Sequence, residues 1–218
     1  MGDTTVIIKT IGRATVLHAF NSARREGFEV ITILDGGQMP SCWTLVDKDL
    51  GYRHANTVYL GRRWGYYGGM AANVGAALAK TEFITFLDDD DEFAPGAGDI
   101  IRRKLKEKPQ VDVWIAGVRF VKPIRVYNKV TDETHKVARD LAINGTLGVT
   151  VGNVAMPTYR TGIFSKIPFS DTVPKEKMHL QDFQHVYACQ LAGCSIDWFG
   201  EVLYLVQPEQ GGLNGRGQ

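Results

Sequence analysis

Four consecutive aspartates are the most distinctive chemical feature of the sequence. They follow directly on an apolar run, residues 83–87, and comprise Asp88, Asp89, Asp90 and Asp91. Neighbouring carboxylates repel one another and raise each other's pKa values. Alternate side chains of an extended strand share a face, which places Asp88 beside Asp90. A divalent cation such as Mg²⁺ or Mn²⁺ would offset this repulsion, because it binds carboxylate oxygens together with phosphate oxygens. We therefore predict a metal site here.

A metal held by carboxylates does not define a reaction. Phosphate-ester hydrolases and nucleotidyltransferases also place Asp-x-Asp at strand ends, and a solvated acidic turn is the non-functional alternative. Three further features, taken in their order along the chain, narrow the choice among these reaction classes. The first predicted strand ends in Thr-Ile-Gly-Arg (10–13), the second ends in Asp-Gly-Gly (35–37), and Asn-Val-Gly (73–75) precedes the strand that carries the aspartates.

The first half of the chain alternates between strand-like and helix-like patterns. Alternation of this kind predicts parallel strands joined by right-handed crossovers, in an α/β sandwich. Such sheets bind ligands outside the carboxyl ends of their strands, where the aspartates lie. We predict strands at Val6–Lys9, Val30–Leu34, Thr57–Leu60, Glu82–Leu87 and Val111–Ile115, and helices at Ala14–Glu26, Gly69–Lys80 and Gly98–Lys108.

The second half is less regular. A hairpin is predicted from Val118–Val121 and Arg125–Val130, and a helix over Gln181–Leu191. Two short strands are expected at Ile196–Phe199 and Val202–Val206. Residues 208–218 contain four glycines and few apolar groups, so we expect a flexible tail or a lid that orders with ligand.

At this point the chain resembles the family-2 glycosyltransferases, which have the GT-A fold. The resemblance is carried by Asn73-Val74-Gly75, a short helix, and then Leu87 followed by the four aspartates, with Pro95 just beyond. It implies a single α/β domain of the Rossmann-like GT-A type, with a mixed, mostly parallel central sheet flanked by helices. Residues 1–110 would form the donor-binding half and residues 111–207 the acceptor-binding and catalytic-base half.

The resemblance also implies roles for individual residues. Thr10, Arg13 and Asp35 would line the pocket for the nucleotide base, Asp88 would hold the ribose, and Asp90, helped by Asp88, would coordinate the metal. Gly69, Asn73 and Asp89 would complete the donor site. The sequence departs from the family pattern at Ala72, where an Arg is usual, and in having one aspartate at position 35 where two are common.

A base is needed to deprotonate the acceptor hydroxyl. In the family this is the Asp of a Glu-Asp pair at the start of a helix, which Gln181-Asp182 resembles, with Gln in place of Glu. Asp182 then falls in the first helical turn, where a carboxylate also suits the helix dipole. A simple capping role remains the alternative for Asp182.

Other candidate contacts are weaker. The family often takes a late metal or diphosphate contact from a His or Arg, and here Gln207, Asn214 or Arg216 would have to supply it. Aromatic residues in predicted loops offer faces on which sugar rings can stack; these are Trp43, Trp64, Tyr66 and Tyr67.

Composition limits the classes of partner. A net charge of +1 provides no field for nucleic acid. No apolar run approaches the roughly 20 residues of a membrane span, and the three cysteines suggest no disulfide framework. We expect a cytoplasmic protein, free or docked to a membrane through a partner, with a UDP-sugar as favoured donor and a saccharide or other hydroxyl acceptor. A non-catalytic carbohydrate-binding module and a sugar-phosphate nucleotidyltransferase are the alternatives.

Overall fold

The computed structural model describes residues 4–38, 56–65, 68–120, 157–170 and 181–206. The strands are β1 (Thr4–Thr10), β2 (Glu29–Leu34), β3 (Thr57–Tyr59), β4 (Phe83–Asp88), β5 (Asp91–Phe93), β6 (Val113–Phe120), β7 (Thr158–Arg160) and β8 (Ile196–Val206). The helices are α1 (Val16–Arg25), α2 (Gly69–Leu78), α3 (Ala97–Glu107) and α4 (Gln181–Leu191), and a short 3₁₀ turn covers Thr161–Ile163.

All eight strands belong to one mixed sheet, in the order β3-β2-β1-β4-β7-β6-β8-β5. The first four positions form a parallel block, which the alternation of strands and helices predicts. β7 is antiparallel to both β4 and β6, while β6 and β8 are parallel. β5 follows β4 after only two residues but pairs with β8 at the far end of the order. The sheet must therefore curl so that its last strand returns to β4.

Helices cover both faces of the sheet, as successive residues of β1 illustrate. Val6 and Ile8 point into one apolar cluster, which contains the buried faces of α1 and α3. Ile7 points into the other cluster, formed with α2, α4 and the segment after β7. Successive residues of β1 are apolar because both faces of this strand are buried.

The structure differs from the predicted elements at three strands. β5 was not predicted, since three acidic and apolar residues carry no strand pattern. β6 continues through the gap expected between residues 115 and 118. β8 is one strand instead of two, with an irregularity in which Ile115 pairs with Trp198 and Gly117 with Val202. Residues 121–130 and 208–218, for which a hairpin and a flexible tail were predicted, lie outside the described residues.

Gly75 marks the closest approach of α2 to the sheet. A Cβ added there would lie 2.4 Å from Cγ2 of Ile7, in the middle of β1. We predict that Gly75→Ala lowers the free energy of unfolding by about 1 to 2 kcal/mol, because the strain of overpacking exceeds the gain in helix propensity. Gly162→Ala is the matched control, since nothing lies within 4 Å of its added Cβ. Urea denaturation of both variants measures the difference, and equal effects would contradict the proposed contact.

Candidate functional site

The carboxyl ends of β1, β2 and β4 meet at one edge of the sheet. Lys9 of β1 stands opposite Asp88 of β4 in the parallel register, and the Asp35 amide donates a hydrogen bond to the Thr10 carbonyl at 2.8 Å. Thr10, Asp35 and the aspartate run are therefore held side by side by strand pairing alone.

Three of the four aspartates converge. One carboxylate oxygen from each of Asp88, Asp90 and Asp91 lies within 4.8 Å of the others. This happens because β4 ends at Asp88, a two-residue turn follows, and β5 begins at Asp91. The expected proximity of Asp88 and Asp90 is thus present. Asp91 was not predicted as a third member, although it belongs to the same acidic run.

Asp89 has a different environment from its neighbours. It is only 3% exposed, and it accepts hydrogen bonds from the Thr10 hydroxyl at 2.6 Å and from Nη1 of Arg13 at 2.7 Å. Burial raises the pKa of Asp89, while Thr10 and Arg13 lower it. This carboxylate ties the loop after β1 to the acidic turn. The donor-binding roles of Thr10, Arg13 and Asp89 stay predictions.

Burial and neighbouring negative charge disfavour the ionised form of Asp90. Burial raises its pKa to about 6, and the charges of Asp88 and Asp89 add to the rise. Arg13 lies 3.5 Å away and opposes this shift only in part. Burial and neighbouring negative charge therefore prevail over Arg13 at Asp90.

Asp35 is also almost fully buried. Its two carboxylate oxygens accept hydrogen bonds from the backbone amides of Trp64 at 2.7 Å and Gly65 at 2.9 Å. The carboxylate thereby fixes the segment after β3 against the end of β2. Its expected contact with a nucleotide base stays a prediction, and such a contact would share or replace these two bonds.

Gly69 and Asn73 lie on α2. Gly69 is buried at the first position of the helix. The Asn73 side chain forms two hydrogen bonds with the backbone of Phe169, accepting from its amide at 2.8 Å and donating to its carbonyl at 3.0 Å. Asn73 thus joins α2 to the segment after β7, and its donor-binding role stays a prediction.

Lys9 is a functional candidate that sequence reasoning missed. Its ammonium lies 3.0 Å from the Asp88 carboxylate. Burial would lower the pKa of Lys9, but the charges of Asp88 and Asp182 outweigh burial and raise it above its ordinary value. Lys9 therefore connects the cluster to Asp182. Its only sequence signal is a cation at the end of an otherwise apolar strand.

Asp182 lies in the first turn of α4, as the sequence predicts. Solvent reaches its side chain, yet the protein around it desolvates the carboxylate enough to raise its pKa. Lys9 lowers that pKa and Asp88 raises it. An accessible carboxylate with a raised pKa is chemically suited to accept a proton.

One turn further along α4, His185 anchors the helix. Its Nε2 lies 2.7 Å from the Ile167 carbonyl, and its ring packs against Phe164 and Phe169 with centroid distances of 4.7 and 4.3 Å. Burial lowers the pKa of His185 to about 4, so the ring is neutral at physiological pH. His185 fixes the helix that carries Asp182.

The fold and site together define a class of protein. The carboxylates lie outside the carboxyl ends of parallel strands, where α/β sheets bind their ligands. The sequence model of glycosyl transferase family 2 matches residues 5–167. The chain belongs to this family, which makes it a glycosyltransferase by family, and its GT-A fold confirms the expected fold class.

Solved structures agree on the fold. S. aureus TarS, residues 1–349, is similar with a TM-score of 0.69 and 19% identity, over 96% of this chain and 62% of that chain. The same TarS segment in complex with UDP-GlcNAc matches with a TM-score of 0.65 and 17% identity, over 95% and 58% of the two chains. Its UDP complex matches with a TM-score of 0.64 and 20% identity, over 96% and 62%. The chain thus spans about three fifths of these TarS chains.

No curated protein sequence matches the chain. Among the described residues, no helix has the length and apolar character needed to cross a membrane. The predicted cytoplasmic location stays a prediction, and so do the contacts of Trp43, Tyr66, Tyr67, Gln207, Asn214 and Arg216, which lie outside the described residues.

We predict that Asp90→Asn stabilises the metal-free protein above pH 6. The shift of this carboxyl from pKa 3.8 to about 6 means that its ionised form costs folding free energy, by about 1 to 3 kcal/mol. The cost is absent below the unfolded-state pKa and complete above the folded-state pKa. Urea denaturation in EDTA should therefore show a gain in unfolding free energy at pH 8 that disappears near pH 4. A gain of equal size at both pH values would contradict the electrostatic explanation.

Proposed function

We propose that the chain transfers a sugar from a nucleotide-sugar to an acceptor hydroxyl with inversion at the anomeric carbon, and that it depends on a divalent metal. The observation that carries this proposal is the convergence of Asp88, Asp90 and Asp91, linked by Lys9 to the solvent-accessible carboxylate of Asp182. Membership of glycosyl transferase family 2 supports it.

The residues of the cluster fit Mn²⁺ or Mg²⁺. Three carboxylates offer hard oxygen donors within 4.8 Å of one another, which suits these cations. The raised pKa of Asp90 supports the same conclusion, because a cation would offset both the burial of this carboxylate and the repulsion from Asp88 and Asp89. Asp90 and Asp88 would hold the metal, with Asp91 as a further ligand. When bound, the metal supplies charge neutralisation for the diphosphate leaving group.

In this proposal Asp182 acts as general base. Its carboxylate removes the proton from the acceptor hydroxyl as that oxygen attacks the anomeric carbon. The bond from that carbon to the diphosphate oxygen breaks on the opposite side, and the electron pair leaves with the nucleoside diphosphate. Lys9 holds Asp88 in place and keeps positive charge near Asp182, which favours its ionised form.

The donor we favour is a UDP-sugar. The TarS segment to which this chain is similar in fold was solved in complex with UDP-GlcNAc and with UDP. Residues 1–110 would bind the donor and residues 111–207 would bind the acceptor and provide the base.

The first experiment measures nucleoside diphosphate released from a panel of UDP- and GDP-sugars, with Mn²⁺ or with EDTA. We expect release from one donor that requires metal and is lost in Asp90→Ala. Asp99→Ala is the matched control, because Asp99 is an exposed aspartate on α3. Absence of both release and metal-dependent nucleotide binding by calorimetry would refute the proposed function in favour of a binding module.

We predict that Asp182→Asn reduces transfer by a factor of about 10² to 10⁴, the usual contribution of a general base. Calorimetric binding of UDP with Mn²⁺ should change less than threefold, because Asn keeps the shape of the side chain. A matching loss of UDP binding would assign Asp182 to the donor site and refute its role as base.

We predict that Lys9→Met moves the acidic limb of the kcat/KM pH profile to higher pH by about one unit. The ammonium lowers the pKa of Asp182, so its removal raises the pH at which that carboxylate ionises. Lys104→Met, on the outer face of α3, is the control. An unchanged profile in Lys9→Met would show that Lys9 does not act on the base.

A further inference from the structure

A pocket of about 490 Å³ lies between the segment after β3, the first turns of α2 and the segment before α4. Its volume is typical of ligand sites, which range over about 300 to 1,000 Å³. The lining residues are Arg62, Arg63, Trp64, Met70, Asn73, Pro168, Phe169 and Ser170. None of them belongs to the aspartate run or to the turn at 10–13, so the pocket is distinct from the carboxylate cluster.

The pocket's charge is positive. Arg62 and Arg63 are both exposed, and within the described part of the chain no carboxylate lies within ion-pair distance of either one. The Arg62 guanidinium lies over the Trp64 ring, 3.9 Å from its centroid. This stacking reduces the number of positions the guanidinium can adopt and leaves its edge available for hydrogen bonds. No acidic residue lines the pocket among the residues described.

The segment that carries these cations is held firmly. Both oxygens of Asp35 accept hydrogen bonds from the backbone amides of Trp64 and Gly65. The backbone of Arg63 also packs closely on Gly36, where an added Cβ would lie 2.7 Å from the Arg63 nitrogen. An anchored backbone and one stacked guanidinium bind an anion with less ordering cost than arginines on a free segment.

One wall of the pocket packs against the helix that carries the candidate base. Phe169, which forms part of its wall, packs against His185, one turn along α4 from Asp182. Asn73 fixes that wall to α2 through its two bonds with Phe169. On the other side, Gly68 at the start of α2 lies against the Lys9 side chain, 3.0 Å from its Cδ for an added Cβ. The pocket walls therefore lie on the start of α2, beside the residue that contacts Lys9, and on the segment that packs against α4, which carries Asp182.

We propose that this pocket binds an anionic group, a phosphate or a carboxylate, of the acceptor that receives the sugar. The inference rests on the proposed function, because it takes Asp182 as the base that faces the acceptor. Arginine's planar fork of donors matches both of these groups in a bidentate manner. The donor's diphosphate has a separate site at Asp88 and Asp90 through the metal, whereas this pocket is cationic and needs no metal to hold an anion. The acceptor is thus an acidic or phosphorylated saccharide instead of a neutral one.

The test titrates glucose 6-phosphate, glucuronate and glucose into the full chain, with UDP and Mn²⁺ saturating, and follows tryptophan fluorescence and heat. We expect at least one of the two anions to bind tenfold or more tightly than glucose. The tighter of the two identifies the group. The fluorescence change should be lost in Trp64→Phe, because Trp64 contacts Arg62, while the heat of binding remains.

The variant Arg62→Ala/Arg63→Ala should weaken anion binding at least tenfold and leave UDP binding within twofold. Arg103→Ala is the matched control, since Arg103 is an exposed arginine on α3, remote from the pocket. The proposal is overturned if neither anion binds more tightly than glucose, if the double variant binds them as well as the unaltered protein, or if it loses UDP binding to the same degree. The last outcome would assign the pocket to the donor and leave the proposed transferase function intact. Failure of UDP to bind the unaltered protein would instead count against that function itself.

Discussion

The concentration of negative charge at the end of β4 is the constraint on which the rest of this structure depends. Four carboxylates follow one another there, and three of them point into a common space. Two cations contact these carboxylates: Lys9 of β1 contacts Asp88, and Arg13 in the loop after β1 contacts Asp89 and Asp90. Burial and the charges of Asp88 and Asp89 nevertheless raise the pKa of Asp90 to about 6. The ionised form of this carboxylate therefore costs folding free energy, which a bound cation would offset.

Much of the architecture follows from patterns in the sequence. The helix at Gln181–Leu191 has the bounds that its periodicity predicts, and the parallel block follows from alternating strands and helices. The proximity of Asp88 and Asp90 was predicted from strand geometry, whereas the turn between β4 and β5 produces it. These features are local, or depend on a general rule of handedness and crossover, so they can be read without knowing which distant segments meet.

The features that sequence reasoning missed depend on long-range pairing. β5 is too short to show a pattern and exists because β8 pairs with it. Asp35 gives no sign that its partners are backbone amides about thirty residues later. Lys9 acquires its importance only when β4 and α4 bring Asp88 and Asp182 to it. Arg62 and Trp64 lie in a non-repetitive segment, where neither periodicity nor a motif indicates a pocket.

The turn between β4 and β5 has a mechanical consequence. Asp88 and Asp91 belong to strands that lie far apart in the sheet order but are separated by only two residues of chain. An ion bound by both carboxylates would join β4 to β5 and so hold the curled sheet closed. Ligand occupancy and sheet curvature would then be thermodynamically linked, and the free energy of cation binding would add to the resistance of β8 and β5 to local opening. The three carboxylates that converge at this turn would, once a cation is bound, also hold β5 against the end of β4.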